Sequence, residues 1–230
     1  MSRYKRLETL TMMKKIGIIP VFFNSDFEIA KNVICACSDG GARVVEFTNR
    51  GERAIDTFKE LEEFCAIKRP EIILGTGSIV DAPTAAIYIA NGANFIVSPL
   101  LDEDTARLCN SRKIPYCPGC GSVTEIHRAE ILGVEICKMF PAAEVGGPSF
   151  VKNIKGPCPW TDIMPTGGVS PTKESLSAWF NAGIACAGMG SQLITKELID
   201  SRDFAGIRKK VREVVDLVKE IRGESENGSY

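Results

Sequence analysis

The stretch Glu135-Ile136-Cys137-Lys138-Met139-Phe140-Pro141 reads as a short buried strand that stops at a proline. It belongs to a series of eight apolar runs, at residues 16–22, 43–47, 72–74, 95–97, 115–117, 136–140, 162–165 and 184–187. Successive runs lie roughly 20 to 28 residues apart, the length of one strand–helix unit. The segments between them carry helix punctuation. Residues 26–37 are followed by Gly40-Gly41, a helix ending at glycine. Ser122-Val123-Thr124-Glu125 has capping-box spacing, and Gly133 closes that helix. Ser170-Pro171 reads as an N-cap with proline at the first helical position, ahead of 174–181. Residues 203–222 form a last amphipathic helix with a stripe of Ile207, Val211, Val214, Val215 and Val218. The runs are apolar throughout rather than alternating, as expected for strands covered on both faces. The pattern predicts a (β/α)8 TIM barrel with an N-terminal helical segment and a C-terminal amphipathic helix. A single domain over 1–223 and a polar, frayed tail over 224–230 are expected. An open doubly wound sheet is the alternative, but no Gly-x-Gly-x-x-Gly follows the first strand.

With 44% hydrophobic and 25% charged residues, the 230-residue chain has the balance of a globular protein with a full core. A net charge of −1 supplies no field that would draw it to nucleic acid or an anionic membrane. The basic clusters Arg3-Tyr4-Lys5-Arg6 and Arg208-Lys209-Lys210 read as solvated helix faces. Nine cysteines, an odd number, scattered through strands and loops, do not form a secreted disulfide framework. Residues 1–15 lack a signal-peptide core, and no segment approaches the roughly 18 apolar residues of a membrane span. A soluble, cytoplasmic protein is expected. Cys117-Pro118-Gly119-Cys120 matches a CxxC spacing, yet a redox or metal role needs further ligands or a thioredoxin-like context. His127 is the one histidine, which argues against a Ser-His-Asp hydrolase.

Chemistry is expected where strands end at the barrel mouth. A lysine at the inner end of a buried strand is costly as an ammonium. Desolvation favours its neutral amine, which attacks carbonyls; the plainer reading of Lys138 is a strand-end lysine that snorkels to water. The second run ends as Glu46-Phe47-Thr48-Asn49-Arg50, placing Glu46 and Thr48 on one face. A carboxylate there is either a proton shuttle or the partner of a buried cation such as Lys138 or Arg50. Arg50 offers a fork suited to a substrate carboxylate, or a salt bridge to Glu52. The third run ends as Gly75-Thr76-Gly77-Ser78. The seventh ends as Thr166-Gly167-Gly168 and the eighth as Gly188-Met189-Gly190-Ser191. Paired glycine loops after strands seven and eight are the usual anion cradle of this architecture.

On these motifs the chain resembles the 2-keto-3-deoxy-6-phosphogluconate and 4-hydroxy-2-oxoglutarate aldolases, small class I aldolases with a β/α barrel. The resemblance runs from Ile18-Ile19-Pro20-Val21 to Gly190-Ser191. Its most specific parts are Glu46-Phe47-Thr48-Asn49-Arg50, Lys138-Met139-Phe140-Pro141-Ala142 and Pro165-Thr166-Gly167-Gly168-Val169; Ser98-Pro99 and Pro118-Gly119 also look like family strand ends. Asn49 stands where the family usually has an aliphatic residue. The resemblance implies that Lys138 forms the Schiff base and Glu46 transfers protons. Arg50 and Ser78 would hold the pyruvyl carboxylate, and Gly167, Gly168 and Ser191 the phosphate, with Gly190 in the same substrate site. Thr48, Pro99, Phe140 and Thr166 complete the implied substrate site. No cofactor or metal is implied, and a homotrimer is. The products would be pyruvate with glyceraldehyde 3-phosphate or with glyoxylate. Rival readings are a phosphate-binding barrel epimerase or isomerase, which would not need Lys138, and a catalytically silent barrel that senses sugar acids.

Overall fold

The computed structural model describes residues 2–223. Its strands and helices alternate. The first half holds α1 (Arg6–Ile16), β1 (Ile18–Phe22), α2 (Phe27–Asp39), β2 (Val44–Thr48), α3 (Ala54–Lys68), β3 (Ile73–Gly77), α4 (Ala82–Ala90), β4 (Ile96–Val97), α5 (Glu103–Arg112) and β5 (Tyr116–Cys117). The second half continues with β6 (Gly119–Cys120), α6 (Val123–Ile131), β7 (Ile136–Met139), α7 (Gly147–Lys155), β8 (Asp162–Pro165), α8 (Lys173–Asn181), β9 (Ala187–Met189), α9 (Lys196–Asp200) and α10 (Phe204–Arg222). Every strand pairing is parallel. The order is β5-β4-β3-β2-β1-β9 in a six-stranded sheet and β6-β7-β8 in a three-stranded one.

The expected single ring of eight strands is therefore observed as two sheets. One break lies at Pro118, which has no N–H to donate and splits the fifth expected strand into β5 and β6. The other lies between β8 and β9, which meet through one bridge, Thr166 to Gly188, and a hydrogen bond from Ala185 N–H to Ile163 O at 2.9 Å. Side chains of both sheets nevertheless share one inner cluster, with Ile19, Val44, Ile73 and Phe95 meeting Ile136 and Met164. Leu10 and Met13 of α1 join it and close its lower end. The opposite strand faces pack under the helices, where Phe47, Phe58 and Tyr88 stack edge to face or tilted.

The capping box at Ser122 and the stripe of the last helix are met, and two aspartates add caps of their own. Asp26 accepts from Ile29 N–H to start α2, and Ser122 accepts from Glu125 N–H to start α6. Asp203 accepts from Gly206 N–H to start α10, whose five stripe residues are all buried. Helix α8 corrects another reading. Its N-cap is Thr172, which accepts from Ser175 N–H, and Ser170 instead donates its N–H to Ser175 Oγ. The N-terminal basic cluster is a second correction. Arg3 pairs with Glu62 at 2.6 Å and donates to the carbonyls of Pro70 and Ile72, while Arg6 pairs with Glu135 and donates to Asn110 and Gly133. These guanidiniums fasten α1 across the loops that feed the strands rather than facing solvent. The expected tail over 224–230 lies outside the described residues.

Met13 is fully buried at the closed end of the inner cluster. Met13→Ala is expected to cost about 2–5 kcal/mol of unfolding free energy. Urea denaturation checks this; an unmoved midpoint would show that α1 does not seal that end.

Candidate active site

Strand alternation sends Val44, Glu46 and Thr48 of β2 inward and Val45 and Phe47 toward the helices. Glu46 is only 1% exposed. Room for its carboxylate comes from Gly77 on β3, where a Cβ would overlap Glu46 Oε1. One residue pair lower, Gly75 makes the same allowance for the Phe95 ring. Glu46 Oε2 is buried without a hydrogen-bond partner among the described residues. Burial pushes the Glu46 carboxyl above the usual carboxylate range, opposed by the positive charges of Lys138 and Arg50.

Lys138 sits on β7 between Gly119 of β6 and Met164 of β8. It is 5% exposed, and its Nζ lies 4.7 Å from the centroid of the Phe140 ring. Burial lowers its pKa; Glu46 and Cys117 pull the other way, while Arg50 adds to the lowering. The pair is thus drawn toward its uncharged forms by desolvation and toward its charged forms by mutual attraction. Desolvation is the larger influence on both groups. The snorkelling reading of Lys138 does not describe this placement.

Past the strand ends, Arg50 Nε–H donates to Ser78 Oγ at 3.1 Å, with Ser78 held in the left-handed region at φ 61°. Arg50 meets Ser78, not Glu52. Asn49 accepts from the Tyr88 hydroxyl at 2.9 Å and donates its N–H to Gly77 O, which ties this exit of β2 to α4 and β3. Thr48 Oγ1–H reaches Phe22 O at 3.4 Å. A cavity of about 530 Å³ opens beside them. Thr48, Arg50, Phe140, Thr166, Gly167, Gly168, Gly190 and Ser191 all line it. Glu46 and Lys138 do not reach its wall; Phe140, against the lysine amine, forms that wall. Pro99 is not part of the cavity. Its carbonyl packs where a Cβ of Gly119 would stand, so it shapes the neighbouring strand exits instead.

The N–H groups of Gly167, Gly168, Ser191 and Gln192 donate to no other group among the described residues. Gly167 and Gly168 both have positive φ, 85° and 83°. Consecutive left-handed residues of this kind expose backbone donors of the sort that bind anions. The sequence reading did not pick out Phe22, Phe23, Gln192, Lys196 or Ile199, which also line the cavity. The signal for the last three was their position just beyond the eighth glycine loop. Cys117 and Cys120 are separated by the sheet: Cys117 joins the inner cluster and Cys120 the outer one. His127 is exposed on α6. No group of three metal-ligating side chains occurs among the described residues.

The family model for KDPG and KHG aldolases matches residues 10–210. The 2-dehydro-3-deoxy-phosphogluconate aldolase of Pseudoalteromonas atlantica is 34% identical, covering 94% of this chain and 97% of its own length. The KHG/KDPG aldolase of Escherichia coli is 31% identical, covering 88% and 92%. Among solved structures, the KDPG aldolase of Legionella pneumophila, with pyruvate captured at low pH as a covalent carbinolamine intermediate, superimposes with a TM-score of 0.82 at 28% identity, covering 90% of this chain and 97% of that one. The burial of Lys138 beside Glu46 thus stands within a matched length of 201 residues, and the chain belongs to the KDPG and KHG aldolase family of carbon–carbon lyases.

Proposed function

We propose that this protein is a class I aldolase that cleaves 2-keto-3-deoxy-6-phosphogluconate to pyruvate and glyceraldehyde 3-phosphate, 4-hydroxy-2-oxoglutarate to pyruvate and glyoxylate, or both. The observation that carries this reading is the buried Lys138–Glu46 pair behind a cavity with backbone anion donors. The neutral Lys138 amine attacks the ketone carbon to give a carbinolamine, the species named for pyruvate in the Legionella relative. Loss of water gives the protonated imine. Glu46 accepts a proton from the C4 hydroxyl, directly or through a water. The C3–C4 bond breaks, its electrons flow into the imine, and the aldehyde departs. The resulting enamine takes a proton at C3 from Glu46, and hydrolysis returns pyruvate and the free amine. The imine is the electron sink, so the scheme calls for no cofactor.

Arg50 and Ser78 are assigned to the substrate carboxylate, on the strength of their mutual hydrogen bond at the cavity. The Thr166 hydroxyl, buried and without a partner among the described residues, is offered to a substrate oxygen. Gly167, Gly168, Gly190 and Ser191 are assigned to the phosphate. The Pro118 and Thr166 junctions are read as breaks in one closed ring of eight strand–helix units over 1–223. The family resemblance supports a homotrimer. Nine free cysteines fit the reducing conditions of the cytoplasm, and among the described residues no helix is long and apolar enough to cross a membrane.

A lactate dehydrogenase-coupled assay with both 2-keto acids tests the function, with pyruvate release expected. Neither an epimerase nor a silent sensor would produce it. In the same assay Glu46→Gln is expected to lower kcat by about 10²–10⁴-fold with little change in substrate binding. Undiminished turnover would reduce Glu46 to a structural partner.

The lowered pKa of Lys138 has a sign that kinetics reads directly. As pH falls through its folded pKa the amine gains a proton and loses its lone pair. The acid limb of kcat/KM is therefore expected below the ordinary lysine range. A pH profile that still climbs into that range would show an unshifted lysine.

A further inference from the structure

The cavity carries an unbalanced charge. Arg50 and Lys196 are the charged side chains of its wall, both cationic, and no carboxylate joins them. They arrive from distant parts of the chain. Arg50 leaves the exit of β2 and is engaged with Ser78. Lys196 opens α9, just after the glycine loop that follows β9. Thr195 caps that helix by accepting from Leu198 N–H, which sets the backbone next to Lys196. Lys196 acts electrostatically on its chain neighbour Glu197, yet it forms no ion pair among the described residues. Its ammonium is exposed at the rim, on a flexible stem. Gln192, between the loop and α9, adds an amide to the same wall.

A wall with two cations and no carboxylate suits a ligand with two anionic ends, because a single anion engages only one of them. Arg50 is already assigned to the carboxylate beside the ketone. The other end falls to Lys196. We propose that Lys196 makes the site prefer substrates bearing an anionic group distal to the ketone, the phosphoryl group of a 6-phospho sugar acid, over counterparts that end in a hydroxyl. The assignment rests on the reading of this cavity as the substrate site. It goes beyond the backbone donors of the glycine loops, which supply hydrogen bonds but no full charge. A phosphoryl group carries nearly two charges, so one mobile ammonium adds binding without demanding one geometry.

The test uses 6-phosphogluconate and gluconate as probes. Both have the distal end in question, and neither has a ketone, so Schiff-base chemistry does not enter. Calorimetry at low ionic strength should show wild type binding 6-phosphogluconate more tightly than gluconate. Lys196→Gln should weaken 6-phosphogluconate about ten-fold and leave gluconate unchanged, and Lys196→Arg should keep most of the preference. Added salt should narrow the wild-type gap more than that of Lys196→Gln. The proposal is overturned if wild type does not discriminate, if Lys196→Gln binds 6-phosphogluconate as wild type does, or if it weakens both probes equally. The lyase reading stands or falls separately, on pyruvate release in the coupled assay.

Discussion

A primary amine removed from water within electrostatic reach of a buried carboxyl is the interaction on which this structure turns. An ammonium transferred into an apolar interior costs several kcal/mol unless it is paired, and the same holds for a carboxylate. Lys138 and Glu46 meet that cost in two ways at once. Each lowers the other's penalty by its charge, and each is displaced toward its uncharged form by burial. Burial thus shifts the amine toward its neutral form and the carboxyl toward its protonated form, the two shifts that the proposed Schiff-base chemistry calls for. Replacing the pair with apolar side chains would relieve the fold of this burden, and the chemistry would go with it.

The strands around the pair are shaped by what they must admit. Gly77 leaves space for the Glu46 carboxylate, Gly75 for Phe95, Gly188 for the Thr166 hydroxyl and Gly119 for the backbone at Pro99. Each absent side chain weakens its strand, since glycine contributes neither packing nor β-preference. The sheet compensates with an apolar inner cluster below, joined by Leu10 and Met13, and with an aromatic cluster outside. The candidate site therefore lies at the opposite end of the strands from the α1 residues that join the inner cluster. The Gly167-Gly168 pair, with both φ values positive, carries the same logic into the loops, where backbone forms the cavity wall.

Much of this was legible in the amino-acid sequence because it is local. Strand–helix periodicity, the cap at Ser122 and the α10 stripe depend on neighbours in the chain, and each took the expected form. The inward placement of Glu46 and Lys138 follows from strand alternation, and the structure buries both and leaves each within electrostatic reach of the other. Less legible was anything that depends on competition between nearby groups. Ser170 and Thr172 both suit a cap, and only the path of the chain after Gly168 selects Thr172. Arg3 and Arg6 looked solvated because their partners Glu62 and Glu135 are remote in sequence. The division into two sheets was hidden because Pro118 interrupts hydrogen bonding without interrupting the hydrophobic run. Pro99 does not line the cavity, and its carbonyl lies against Gly119, a contact between strand ends remote in sequence.

Reduction with borohydride in the presence of pyruvate, followed by peptide mapping, tests the central claim most directly. A buried amine poised for carbonyl attack should be trapped as a secondary amine, with the pyruvate-derived mass on the peptide that contains Lys138. Absence of an adduct, or its appearance on a different lysine, would contradict the account.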